Sequence, residues 1–210
     1  MPTASGDLDD PDVPRTEGRL VSVLNELEAA WRRCGAPIAD ALAPGLSSDE
    51  IDALTMSAEL TVPPGLKLWW GWHNGIDPSC GDPAASDTGM AYNLISLQQA
   101  LEIRAMLLDV CGEPYNEETA DVYWRASWLP FAGPGKDLLF VDTSDTRATP
   151  VRELNWAWEE FLTVRADTLT EVAEAWLHVV TRGWVFWVPD AGAWDMRPDL
   201  PLYLRMSSLI

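Results

Sequence analysis

Three times along the chain a Ser or Thr stands three residues ahead of a Glu or Gln at the start of an apolar run: Ser47 with Glu50, Ser96 with Gln99, and Thr168 with Glu171. In such a pair the first side chain accepts from a free N–H of the opening helical turn, and the second reaches back to the cap N–H. The motif therefore fixes where a helix begins. Helices open at 47, 96 and 168.

The intervals fill in accordingly. Leu20, Val23, Leu24, Leu27, Ala30 and Trp31 recur at helical spacing, with Glu26, Arg32 and Arg33 opposite and Gly35 and Pro37 closing the segment. The helix from Ser47 is short and carries Ile51, Leu54 and Leu60. Val62-Pro63-Pro64-Gly65 then breaks the chain, and Pro64, whose missing N–H is not needed in a first turn, opens a helix through Leu66, Leu68, Trp69, Trp70 and Trp72. Asn74-Gly75 is expected to stop it as a left-handed C-cap. Residues 76–90 read as an exposed loop and 91–95 as a strand. The helix from Ser96 is expected to end near Gly112.

After a polar acidic stretch at 113–121, two apolar runs at 127–131 and 138–142 flank a Gly-Pro-Gly connector, the pattern of a hairpin. Further strands are expected at 151–154 and 158–164. The helix from Thr168 carries Val172, Ala175, Trp176, Val179 and Val180 to Gly183. This order gives an α+β class: N-terminal helices, a central mainly antiparallel sheet and a C-terminal helix packed on it. The expected division is a flexible acidic tail over 1–16, a domain over 17–183, and a Trp-rich extension over 184–210 packed on the domain.

Charge narrows the function. Thirty-three Asp and Glu against fourteen Lys and Arg give a net charge of -19 over 210 residues. That field repels nucleic acid and anionic membranes and attracts cationic partners, and it also serves solubility. Residues 1–12 hold four Asp and no apolar core of a secretory signal. No apolar run approaches the roughly 20 residues that span a bilayer. Cys34, Cys80 and Cys111 lack disulfide or zinc spacing, so a cytoplasmic protein with reduced thiols is expected.

Catalytic machinery is not visible. His73 beside the Asn74-Gly75 turn and His178 on the last helix read as structural, and no metal, cofactor or phosphate-loop motif is present. Gly133-Pro134-Gly135-Lys136 lacks the frame of a phosphate loop. Twelve Trp could form a sugar platform or a protein hot spot, but core packing is the ordinary role of most. A carbohydrate-binding or hydrolytic role would need two carboxylates about 5–9.5 Å apart, which spacing in sequence does not show.

Four segments carry a resemblance in order. LTVPPGLKLWWGWHNG is similar to the "lP..l..ly..hNG" element of the SUKH superfamily, through Pro64, Trp69, Asn74 and Gly75. YNLISLQQALEIRAML matches its next helix. Trp128-Leu129-Pro130-Phe131-Ala132 and Leu138-Leu139-Phe140-Val141-Asp142 resemble its hairpin, through Pro130 and Asp142, and VRADTLTEVAEAWL resembles its terminal helix. The matches cover residues 20–182. The chain departs from the pattern in the hairpin turn, where many members carry a second Gly-Asp pair, and in the tail after Gly183.

The resemblance implies a non-enzymatic protein-binding domain. Bacterial members are typically immunity proteins that neutralise a cognate polymorphic toxin, often a nuclease, and fungal relatives regulate cell-wall synthesis. The expected partner is thus a cognate toxin with a basic nuclease domain, or alternatively a cellular partner of a regulatory scaffold. An acidic and aromatic interface is expected at Trp72, Asp77, Asp82 and Asp87, with a second patch at Asp109, Glu113, Glu117, Glu118 and Asp121.

Overall fold

The computed structural model describes residues 13–81, 83–111, 124–133, 137–146, 149–155 and 162–200. Helix α1 (Val13–Cys34) forms on the expected periodicity, with Leu20, Val23, Leu24, Leu27, Ala30 and Trp31 all buried. Arg32 and Arg33 in its last turn complement the helix dipole. It starts at Val13, inside the stretch read as tail. A single turn, α2 (Ile38–Ala41), leads into β1 (Leu42–Pro44).

The capping signatures place the next helices. At α3 (Ser48–Thr55) the box is complete: the Glu50 N–H donates to Ser47 Oγ at 3.3 Å and the Ser47 N–H to Glu50 Oε2 at 2.8 Å. At α5 (Leu97–Cys111) the Gln99 N–H donates to Ser96 Oγ at 3.1 Å and the Ser96 N–H to Gln99 Oε1 at 2.9 Å. At α6 (Leu169–Thr181) only half of it forms. The Glu171 N–H donates to Thr168 Oγ1, but the Glu171 carboxylate accepts from the Asp167 N–H, one residue before the cap. Helix α6 closes on Gly183 at φ +64, with the Gly183 and Trp184 N–H groups donating to the Val180 and Val179 carbonyls, a Schellman end.

Between α3 and α5 lie α4 (Pro64–Trp72) and β2 (His73–Ile76), which pairs antiparallel with β1. Asn74-Gly75 is therefore inside a strand and does not act as a C-cap. The expected strand at 91–95 reduces to one bridge, Leu94 to Ala132. Side chains replace the ladder there: Thr88 Oγ1 donates to the Tyr92 carbonyl at 2.7 Å and the Trp70 indole to the Ile95 carbonyl at 3.2 Å.

Strands β3 (Trp128–Ala132), β4 (Asp137–Asp142), β5 (Val151–Asn155) and β6 (Leu162–Ala166) form one antiparallel sheet in sequential order. The last strand sits later than expected, and residues 158–161 lie outside the described set. Leu129, Phe131, Leu139, Val141 and Val151 join the main core with α1, α4 and α6. Trp128, Leu138, Phe140 and Leu154 face the other way, against Trp124 and Leu107 of α5. With both faces covered, β3 and β4 read in sequence as continuous apolar runs. Helices α1 and α6 lie side by side, joined at the surface by Arg19 and Glu174 at 2.8 Å.

A hairpin of β7 (Val185–Val188) and β8 (Ala193–Met196) follows α6, its base closed by the Arg197 N–H donating to the Trp184 carbonyl. Trp31, Trp69, Trp70, Trp124, Trp128 and Trp176 are buried, while Trp156 and Trp158 lie outside the described residues. The Trp count is thus largely a packing feature. Cys34 and Cys80 are free thiols. No helix among the described residues is long and apolar enough to cross a membrane.

Candidate partner interface

The turn from α4 into β2 organises the surroundings of the first expected patch. Pro63 caps α4 and Pro64 occupies its first turn, where no N–H is required. Leu66, Trp69 and Trp70 point inward. Trp69 is the hub: its ring lies 5.1 Å from Phe131, 5.9 Å from Trp176 and 6.3 Å from Trp72, each edge-on.

Asn74 has a role that its local sequence conceals. Its Oδ1 accepts from the Leu97 N–H at 2.8 Å, so it satisfies a free donor in the first turn of α5 from 23 residues away. Gly75, at φ +73, lies so close to α5 that a Cβ would stand 2.5 Å from the Ser96 nitrogen. Together they dock β2 onto the helix. Asn74→Ala is expected to lower stability by about 1 kcal/mol, the value of an N-cap, measured by urea unfolding. An unchanged midpoint would show that the Leu97 N–H finds another acceptor.

The acids of the following loop first serve the loop itself. The Asp77 carboxylate accepts from Ser79 side chain and backbone, which holds it below the usual carboxylate range, while its own N–H donates to the Ala41 carbonyl. Asp87 Oδ1 accepts from the Gly89 N–H at 2.9 Å. Both are half-buried. The loop base is held from two sides, since the Trp31 indole donates to the Thr88 carbonyl and the Trp194 indole to the Asp87 carbonyl at 3.0 Å. Asp82 lies outside the described residues.

Trp72 is half-buried, with its ring 6.4 Å from Trp31 and 4.7 Å from His73. Its indole N–H is buried with no acceptor among the described residues. It packs at the edge of the core. Of the second patch, Asp109 is exposed on α5, and Glu113, Glu117, Glu118 and Asp121 lie outside the described residues.

In the hairpin, Pro130 is buried on β3, an edge strand of the sheet where a missing N–H breaks no inner ladder. Asp142 accepts from the Trp128 indole at 3.2 Å and from the Ser144 hydroxyl and N–H. Burial alone would raise its carboxyl, but the bonds from Ser144, Ser127 and Trp128 outweigh it and hold the group below its ordinary value.

Both imidazoles are engaged in packing. His73 Nδ1 lies 2.8 Å from the Ala43 carbonyl and Nε2 3.2 Å from Glu28, while the His178 ring stacks edge-on against Trp184 at 5.0 Å. Among the described residues no cluster of His, Cys, Asp and Glu has metal-binding geometry.

The SMI1 / KNR4 family (SUKH-1) matches residues 45–175, a span that holds Pro64, the Asn74-Gly75 dock and the Pro130 hairpin. The chain belongs to that family. No curated protein matches the sequence. The SUKH-1 match runs from just before α3 into α6, a shorter span than the resemblance over 20–182; α1 and the β7–β8 hairpin fall outside it. Membership in SUKH-1 supports a protein-binding role.

One group in this SUKH-1 domain escaped the sequence reading. Glu153 on β5 is 1% exposed; its Oε1 accepts from the Tyr92 hydroxyl at 2.5 Å and its Oε2 from the Arg165 guanidinium on β6. Burial, then Glu153, pushes the Tyr92 hydroxyl far above its usual range, so it stays a donor. The available signal was alternation, since Val151 and Glu153 must share one face.

Proposed function

We propose that this SUKH-1 chain is an immunity protein of the bacterial cytoplasm, which neutralises a cognate toxin with a basic, nuclease-type surface by binding it and performing no chemistry on it. The observation that carries the reading is the net charge of -19 on a domain of this family. A nuclease must present cations to phosphates, and a carboxylate-rich domain competes for those cations. Complementary charge also speeds encounter, to about 10⁸–10⁹ M⁻¹s⁻¹ at low salt, and rejects acidic competitors. The engagement of His73 and His178 in packing contacts agrees with a role by binding.

The test is co-expression in bacteria with the toxic domain encoded beside the gene. Survival and copurification of a complex whose association slows steeply with added salt are expected. Cell death without a complex overturns the reading in favour of a regulatory scaffold that binds a cellular partner.

A further inference from the structure

We propose that the β7–β8 hairpin is the surface that meets the partner, and that it takes a basic protein face carrying an apolar anchor. The proposal rests on the immunity reading above and moves its contact from the acidic patches to a segment outside the matched family residues. An isolated two-stranded hairpin is at best marginally stable in water, so this one must be held by something. Its inner side supplies that. Val185 is buried, Trp184, Trp187 and Trp194 pack partly buried on the main core, and the Trp187 and Trp194 rings meet edge-on at 5.8 Å. The Trp194 indole donates to the Asp87 carbonyl, and its ring covers Gly89 so closely that a Cβ there would lie 2.6 Å from it.

The side chains left outside form a different kind of surface. Phe186 is 37% exposed and stands across the strands from Asp195, on the face of the hairpin away from Val185, Trp187 and Trp194. Asp190 in the turn and Asp195 are exposed. Arg197 is engaged by Asp199 through two bonds of 2.8 and 2.6 Å, so it does not neutralise them. Arg182, at the foot of the hairpin, is the other cation nearby in the chain. An exposed aromatic rimmed by carboxylates, on a rigidly seated support, has the composition of a binding centre with a charged rim. The sign of the rim, on a chain of net charge -19, selects a cationic partner.

The experiment uses the full chain and the toxin domain that copurifies with it. Phe186→Ala is expected to weaken the complex about thirtyfold, mainly through faster dissociation. Asp190→Asn with Asp195→Asn is expected to slow association and flatten its salt dependence, with the melting temperature unchanged and Glu102→Gln on α5 without effect. Amide exchange on the wild-type complex supplies a readout that needs no variant: residues 185–196 should gain protection. If the wild-type complex forms but the variants bind equally well and the hairpin gains no protection, the hairpin proposal falls and the immunity reading stands. If no complex forms with the wild-type chain, the immunity reading fails and takes the hairpin proposal with it.

Discussion

Glu153→Ala is expected to lower the unfolding free energy by about 3–5 kcal/mol, the range for breaking a buried ion pair from one side. The mutation removes the acceptor of both the Tyr92 hydroxyl and the Arg165 guanidinium, whose side chain is only 20% exposed. Loss on this scale is a large part of the roughly 5–15 kcal/mol that holds a domain together. Urea unfolding measures it directly. A triple replacement, Glu153→Leu with Arg165→Met and Tyr92→Phe, should recover most of the loss, because no charge or hydroxyl is then left buried without a partner. A single mutant that loses less than about 1 kcal/mol would mean that water reaches Arg165 readily.

The second large effect is expected at Gly45. A Cβ there would stand 1.9 Å from the Gly71 carbonyl oxygen and 2.9 Å from that of Trp72, both backbone atoms that no rotamer change can move. Gly45→Ala must push the segment before α3 off the end of α4 and strain the Leu46 N–H bond to the Trp70 carbonyl, now 2.9 Å. A cost of about 2–3 kcal/mol is expected, read as a fall in the unfolding midpoint. Gly71→Ala is the control from the other side of the contact. Its Cβ would meet the Leu46 carbonyl at an ordinary 3.4 Å, and a helical Ala gains up to about 1 kcal/mol over Gly, so it should be neutral or mildly stabilising.

The contrast between these sites shows what a sequence reveals. The helix starts at Ser47 and Ser96 were legible because both halves of each cap lie within three residues. Thr168 was legible for the same reason, although its Glu171 bonds one residue further back. Asn74 was not, because its acceptor serves Leu97; locally, Asn-Gly after a helix reads as a stop. Glu153 with Tyr92 spans 61 residues and Trp194 with Asp87 spans 107, and no periodicity encodes such pairings. The α+β class was legible because apolar runs and helical spacing are local quantities. The candidate interface was legible only as charge: Asp77 and Asp87 could be named as loop acids, but their bonds to Ser79 and Gly89 depend on how the loop turns.

The side-by-side packing of α1 and α6 has a consequence for how the chain is made. Arg19 and Glu174, which join them, are 155 residues apart, whereas each strand of the sheet pairs with the next one to leave the ribosome. At about 5–20 residues per second, the apolar stripe of α1 waits about 8–30 s for α6 to be synthesised. Helices α2 and α4 can pack on α1 and the sheet can assemble on α5 meanwhile, so the seam between α1 and α6 is among the last to close. The part of the α1 stripe that faces α6 spends that interval uncovered, which makes the nascent α1–α4 segment the natural client of a holding chaperone.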